Sequence, residues 1–331
     1  MTDTSADLDR LSPRQALAWL GARPVLIAAL VAVALFVFGE ILSPGFAAYG
    51  QVLNVLRVAS FLGIIAIGQT IVVLSGGEGI DLSVGKVATF AAILAARASA
   101  GGDEAILWSL VLALGAGALI GLVNGLGITF LRIPPLVMTL GMVGIVQGIV
   151  LLYTGGQPAG RSAPLLRALV NTRTLGNLPG ILYLWLLIAI LVVILLRRTT
   201  YGRWLYAVGA NRTAAALSGV PVTRTVVTAY VLSGTFAALG GVLLLGYTET
   251  VFLNLADQYM LPSVAAVVIG GTTLAGGSGG YAGTAIGAVV LTVLDSILVT
   301  LRMEESGRLI VNGIVLLVLL SAYGRQRRLR Q

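Results

Sequence analysis

Long apolar runs separated by short polar breaks dominate this chain. Ten stand out, at about 25–42, 58–75, 83–97, 106–131, 134–154, 181–198, 224–246, 260–275, 282–301 and 308–323. A helix needs about 20 apolar residues to cross a bilayer. The runs therefore predict an all-α, polytopic bundle of about ten transmembrane helices. Two runs are short. At 1.5 Å per residue, 83–97 reaches about 22 Å and 260–275 about 24 Å, against a hydrocarbon core of about 30 Å. Dividing the chain into two halves of five spans makes each short run the third span of its half. Five is odd, so the halves run in opposite directions. Short, glycine-interrupted segments at matching positions of inverted halves point to a transport path.

Composition sharpens this picture. Hydrophobic residues make up 57% of the chain and charged residues 10%, against about 25% charged in soluble domains. A soluble enzyme and a disordered chain are both excluded. Ten spans consume roughly 200 of the 331 residues, which leaves no room for a further soluble domain of about 100–150 residues. The expected organisation is a tail at 1–24, a membrane domain at 25–323 with a cytoplasmic loop at 199–223, and a basic tail at 324–331. No catalytic or nucleotide-binding domain fits. The chain has neither Cys nor His, so thiolate chemistry, imidazole metal ligands and His-based triads are absent, and no metal or cofactor is expected.

The net charge is +8. No basic stripe interleaved with aromatics accompanies it, so nucleic acid is not a partner. The arginines stand at the ends of apolar runs, where they read as topology and headgroup contacts with the lipid bilayer. With the N-terminus inside, 14 of the 21 basic residues fall on the cytoplasmic side, Lys86 among them. That bias predicts both tails in the cytoplasm and an even number of spans.

Residues 75–85 read Ser-Gly-Gly-Glu-Gly-Ile-Asp-Leu-Ser-Val-Gly and break the helix between the second and third spans. Asp81 and Ser83 can cap the next helix, and an ionisable group at membrane depth can also line or gate a path. Gly77 belongs to the same break. Asn124, Gln147 and Asp295 are polar groups within spans that need partners or a water-filled cavity, and Asp81 and Asp295 are the carboxylates expected at depth. Gly85-Lys86 lacks both the upstream Gly and the following Ser or Thr of a phosphate-binding loop. Gly277-x-Gly279 follows an apolar helix rather than a strand, so nucleotide binding is rejected at both places. The ladders Gly117/Gly121/Gly125, Gly144/Gly148 and Gly283/Gly287 predict close helix packing. The 201–222 stretch predicts a short helix, with Asn211 as N-cap, Thr213–Leu217 as body and Gly219 as stop before Pro221. A compact helix there suits docking to another protein.

At this loop the sequence resembles the inner-membrane permeases of ribose-type ABC sugar importers. The match recurs through Leu42–Phe46, Asn54–Arg57, the 76–85 break, Asn124-Gly125, Arg132–Pro135 to Thr139–Gly141, Thr154–Pro158 and 265–277. In the loop itself it covers Tyr201, Gly202, Arg203, Ala207–Asn211 and Leu217, Ser218, Gly219. Two departures stand out: Glu78-Gly79 is inserted in the first signature, and Arg212-Thr213-Ala214 replaces an acidic start to the short helix. The resemblance implies a transport subunit, not an enzyme. It implies an ABC ATPase subunit docking on Tyr201–Gly219, including Ala214 and Ala215, a periplasmic sugar-binding protein, and a second permease copy or paralogue in a dimer. Thr139 joins the path candidates Gly77, Asp81, Ser83, Asn124, Gln147 and Asp295. An ion-gradient-driven secondary transporter is the other class considered.

Overall fold

The computed structural model describes residues 24–172 and 177–328. Expectations for residues 1–23, 173–176 and 329–331 lie outside the described residues. Those described are helical, apart from turns, loops and isolated bridge residues, Arg161 and Thr250 forming one such bridge. The first half holds α1 (Pro24–Leu42), α2 (Tyr49–Leu74), α3 (Val84–Ser99), α4 (Ile106–Thr129) and α5 (Pro135–Thr154). A short α6 (Pro164–Asn171) leads to α7 (Gly180–Arg198), α8 (Thr200–Ala210), α9 (Arg212–Leu217) and α10 (Val222–Thr248). A 3-10 turn at Asp257–Tyr259 precedes α11 (Met260–Ile269), followed by α12 (Tyr281–Thr300) and α13 (Glu305–Arg328).

Among the described residues, seven helices are long and apolar enough to cross a membrane: α1, α2, α4, α5, α7, α10 and α12. The expected ten is not reached on that measure. The runs at 83–97 and 260–275 become α3, of 16 residues, and α11, of only ten. α13 continues through Arg328, past the expected start of the C-terminal tail at 324. α2 begins at Tyr49 rather than near 58, because the polar residues in its first turns have lateral partners. Arg57 Nη2 donates to Asn54 Oδ1 at 2.6 Å and Nη1 to Asn171 Oδ1 at 3.3 Å. Its guanidinium also lies over the Tyr247 ring, 5.1 Å from the centroid.

α2 and α10 form the core. In their most apolar stretches 83% and 61% of residues are buried, against 17–28% in α1, α4, α5 and α7. An apolar helix that stays exposed in the monomer fits lipid around it. Small residues bring the backbones together. Gly117 and Gly121 of α4 sit on the carbonyls of Gly234 and Tyr230 in α10, and Gly283 and Gly287 sit on Gly270 and Ala266. The third expected ladder does not pack: Gly144 and Gly148 of α5 face open space.

The two ends of the bundle are chemically distinct. At the end that carries α8 and α9, here called the coupling end after the role expected of that loop, Leu74, Gly209 and Gly277 converge. At the far end, Asn171 Nδ2 donates to Gly246 O and the Ser162 N–H to Glu249 O. The chain between these ends is not always helical. Residues 75–83 climb from the coupling end into the bundle before α3 starts. Residues 249–259 descend from the far end before α11 starts. Irregular backbone at that depth is tolerated where protein surrounds it. Here the Ala256 N–H donates to Thr89 Oγ1 at 3.0 Å, with both residues buried.

Candidate functional site

The site is built from three connected parts. The first is the loop that the sequence marks for docking. Thr199 opens α8 by accepting the Gly202 N–H at 3.2 Å. Gly202 is required because a side chain there would overlap the Leu196 and Leu195 carbonyls. Tyr201 donates to Thr225 O at 3.4 Å, and exposed Arg203 donates to Thr200 Oγ1 at 3.2 Å. Asn211 caps α9 by accepting the Ala214 N–H at 2.9 Å. Ser218 donates back to Ala214 O and Ala215 O, and Gly219 ends the helix at φ +78°, a region glycine adopts freely. Ala215 is buried against the bundle, whereas Ala214, Ala216, Ser218 and Leu217, the last at 86% exposure, form an outward face.

The second part lies directly behind that face. Gly76 and Gly77, at φ +71° and +64°, turn the chain at the end of α2. A side chain on Gly209 of α8 would overlap Leu74 O and Gly277 N, and one on Gly276 would overlap Gly76. The Gly277 N–H also donates to Leu74 O at 3.1 Å. Three glycine-rich backbones thus touch: the break after α2, the body of α8 and the 270–280 loop before α12. Arg212 adds a clasp, its Nη2 donating to Gly76 O at 3.2 Å while its guanidinium packs on Gly77. Arg212 and Gly77 therefore both belong to this junction. Tyr206 Oη donates to Gly279 O at 2.9 Å. Of the two departing residues, Glu78 is exposed at φ +59°, whereas Gly79 is buried, its N–H donating to Gly76 O at 3.2 Å.

The third part is a buried polar network at the top of the break. The Ser83 N–H and Oγ donate to Asp81 Oδ1 at 3.0 and 2.6 Å, and Ser233 Oγ of α10 donates to Oδ2 at 2.7 Å. Asn124 Nδ2 of α4 donates to Ser83 Oγ at 3.0 Å. Thr139 Oγ1 of α5 donates to Ile80 O at 3.3 Å. Asp81, Ser83, Asn124 and Thr139 are thus brought together. The expected capping role is corrected: neither Asp81 nor Ser83 caps α3 by its side chain, since both are used within the network. Ser233 lies eleven residues from the start of α10, about 16 Å at 1.5 Å per residue, which puts Asp81 deep in the bundle. Gln147 on α5 and Asp295 on α12 stand elsewhere. Gln147 Oε1 has no partner, and Asp295 pairs with Arg308 of α13 at 3.3 Å.

Sequence reasoning missed the polar centre at mid-depth. Lys86 Nζ meets Asp257 Oδ2 at 2.6 Å and Asn254 Oδ1 at 3.2 Å, with the lysine side chain only 13% exposed. Lys86 is therefore not an inner-loop charge, and Asp257 joins Asp81 and Asp295 as an embedded carboxylate. One signal was available: an acid just before a span too short to cross alone.

Comparison with known proteins gives the same frame. The family described as "Branched-chain amino acid transport system / permease component" matches residues 51–320. The chain is 35% identical over 285 residues to the ribose import permease protein of Bacillus subtilis, covering 86% of this chain and 88% of that one. It is 33% identical over 305 residues to the ribose import permease protein of Escherichia coli K12, covering 91% and 93%. It is 35% identical over 298 residues to the autoinducer 2 import system permease protein of Klebsiella pneumoniae, covering 89% and 85%. No solved structure matches. With most of its length matched by the family and by permeases of this kind, the chain belongs to the branched-chain amino acid transport system permease components and is a permease of the ribose-type ABC importers.

Proposed function

We propose that this chain forms the translocation path for a monosaccharide delivered by a periplasmic sugar-binding protein, and that its coupling end faces the cytoplasm. ABC import permeases work with a separate ATPase subunit and a binding protein, and this chain is a multi-pass inner-membrane protein of that kind. The observation that carries the reading is the contact of α8 with both glycine breaks, with α9 clasped to the first through Arg212. A push on the exposed face of α9 reaches the break under Asp81 and the 270–280 loop at once. Force passes well through such a contact because packed backbones yield little.

The substrate class rests on relatives. Two of the permeases at 33–35% identity are named for ribose and one for autoinducer 2. A monosaccharide of the ribose, xylose or galactose type is the class that fits this chain. The working unit is a dimer with a second copy or a paralogue, and both termini are cytoplasmic. The first turn of α3 and the 3-10 turn that precedes α11 meet at Lys86–Asp257 while the helices run towards opposite ends, which supports two inverted halves. An ion-gradient mechanism finds less support, since Asp81 accepts from three donors and Asp257 and Asp295 face cations.

Reconstitution tests the reading. Proteoliposomes holding this permease, its ATPase and the binding protein should take up a monosaccharide only with ATP, and an uncoupler should not stop uptake. Uptake that follows an ion gradient without ATP would overturn it.

A further inference from the structure

One face of α13 carries an ordered series of groups. Glu305, Arg308 and Asn312 follow one another at helical spacings of three and four, so they share a face. All three line one cavity of about 260 Å³ between α2, the 257–262 segment, α12 and α13. From the far end inwards they present an anion, a cation and an amide. Along the helix axis they stand about 4.5 Å and then about 6 Å apart. Most of the remaining wall is apolar, with Leu62, Leu261, Ala265 and Leu291 in it. Its other embedded polar groups include Asp257, which Lys86 holds, and Thr292, which donates to Ala288 O of its own helix.

The rim has one carboxylate in excess. Arg308 pairs with Asp295 at 3.3 Å, and both side chains stay partly exposed, 26% and 43%. Glu305 is exposed, and among the described residues no cation pairs with it. Depth adds a second constraint. Glu305 to Gly313 spans about 12 Å of helix, within the depth of one leaflet, half of a core of about 30 Å. Leu261 and Leu309 flank the space and are exposed, so it opens sideways to lipid. A sugar finds few partners on so apolar a wall, and a bare cation would meet Glu305 but leave that wall empty. An anionic phospholipid brings a phosphate to Arg308 and nothing to Glu305. A phospholipid with an amine in its head brings both charges in the order that α13 presents them.

We infer that this cavity is a binding site for one amine-bearing phospholipid, phosphatidylethanolamine in kind, from the leaflet at the far end. Its ammonium pairs with Glu305 and its phosphate meets the exposed edge of Arg308. The Asn312 amide donates to an ester carbonyl, and one acyl chain enters the apolar part of the cavity. The lipid thereby fills the space between α13 and the helices beside it, so it steadies α13 against the bundle. The site does not depend on which solute the permease carries.

Thermal unfolding with defined lipids tests this. The permease is purified with its ATPase, stripped of lipid in detergent and titrated with phosphatidylethanolamine, phosphatidylcholine or phosphatidylglycerol of matched acyl chains. Phosphatidylethanolamine should raise the unfolding temperature at a concentration about tenfold lower than phosphatidylglycerol, which brings no cation to Glu305. Phosphatidylcholine, a cation without N–H donors, should fall between them. Glu305→Gln, a change at an exposed residue, should erase the advantage over phosphatidylglycerol. Gly313 lines the cavity and a side chain there meets no neighbour, so Gly313→Leu should fold, occupy the space and weaken protection by phosphatidylethanolamine. Glycerophosphoethanolamine, the same head without acyl chains, should not protect. Equal protection by the three lipids overturns the site, as does a preference that survives Glu305→Gln or Gly313→Leu. Protection by the head alone assigns the rim to a soluble ligand and also overturns it. The native chain has no Cys, so a disulfide between two copies of Gly313→Cys would assign the cavity to a second copy of the permease, and the lipid site would fall.

Discussion

Lys86 Nζ lies 2.6 Å from Asp257 Oδ2, and the pair joins the first turn of α3 to the turn that opens α11. The two helices leave this point for opposite ends of the bundle. Neither can span the membrane alone, and the extended chain before each one makes up the missing depth. An ion pair at that level is costly unless both members are held in place. Asn254 and the packing of Gly85 against Ala256 hold it.

Breaking this pair from one side should therefore destabilise the fold. Lys86→Met or Asp257→Leu leaves a lone charge at depth. A fully buried pair broken this way loses about 3–5 kcal/mol, and the partial exposure of Asp257, 35%, reduces the expected loss to about 2 kcal/mol. The double variant should recover most of it, since two apolar groups need no partner. Thermal unfolding of the purified permease, its two single variants and the double variant, run as a double-mutant cycle, measures the coupling. Additive losses would show that the pair does not act as a unit.

Gly209→Val should abolish transport while the protein still inserts. The added side chain collides with Leu74 O and Gly277 N, both backbone atoms that cannot rotate away. Overpacking of this kind costs about 1–3 kcal/mol and separates α8 from both breaks. Comparing ATP-driven uptake with the amount of protein in the membrane distinguishes coupling from folding. Gly115→Ala, which meets open space on the exposed side of α4, is the control and should transport normally.

On the docking face, Leu217→Asp should leave stability within about 0.5 kcal/mol of wild type, because the residue is exposed. Co-purification with the ATPase subunit should be lost. Arg212→Ala should keep the ATPase bound yet lower uptake per ATP hydrolysed, because it removes the clasp on Gly76 rather than the docking surface. Equal behaviour of the two variants would contradict this division of roles.

The Asp81 network makes a graded prediction. Asp81→Asn keeps an acceptor for Ser83, and Ser233 can turn its hydroxyl to accept, so a small loss is expected. Asp81→Leu strands three donors in a buried site and should cost about 1–3 kcal/mol more. The melting temperatures of the two variants, compared side by side, test this order.

Single cysteines at Ser5 and Gln326 should resist an impermeant thiol reagent in intact cells. Labelling of either from outside would reverse the proposed orientation.

Apolar runs, the absence of His and Cys, and the spacing of Asn211, Leu217 and Gly219 determined the polytopic α-helical class, the exclusion of thiolate and imidazole chemistry, and a short capped helix between α8 and α10. These features are local: span length follows from residue count, and a cap and a stop act within one turn. Asp81, Ser83, Asn124 and Thr139 were each legible as polar groups that needed partners. Which partner each one has depends on the crossing of α3, α4, α5 and α10, a crossing that the glycines permit but do not specify. Tertiary structure alone decided that Lys86 meets Asp257, residues 171 apart in sequence, because a re-entrant segment looks like any polar loop until the helix beside it is known. The same holds for Arg212. In the sequence it stands out only as a departure from an acidic start to the short helix, and the approach of α9 to the break after α2 gives it Gly76 as a partner.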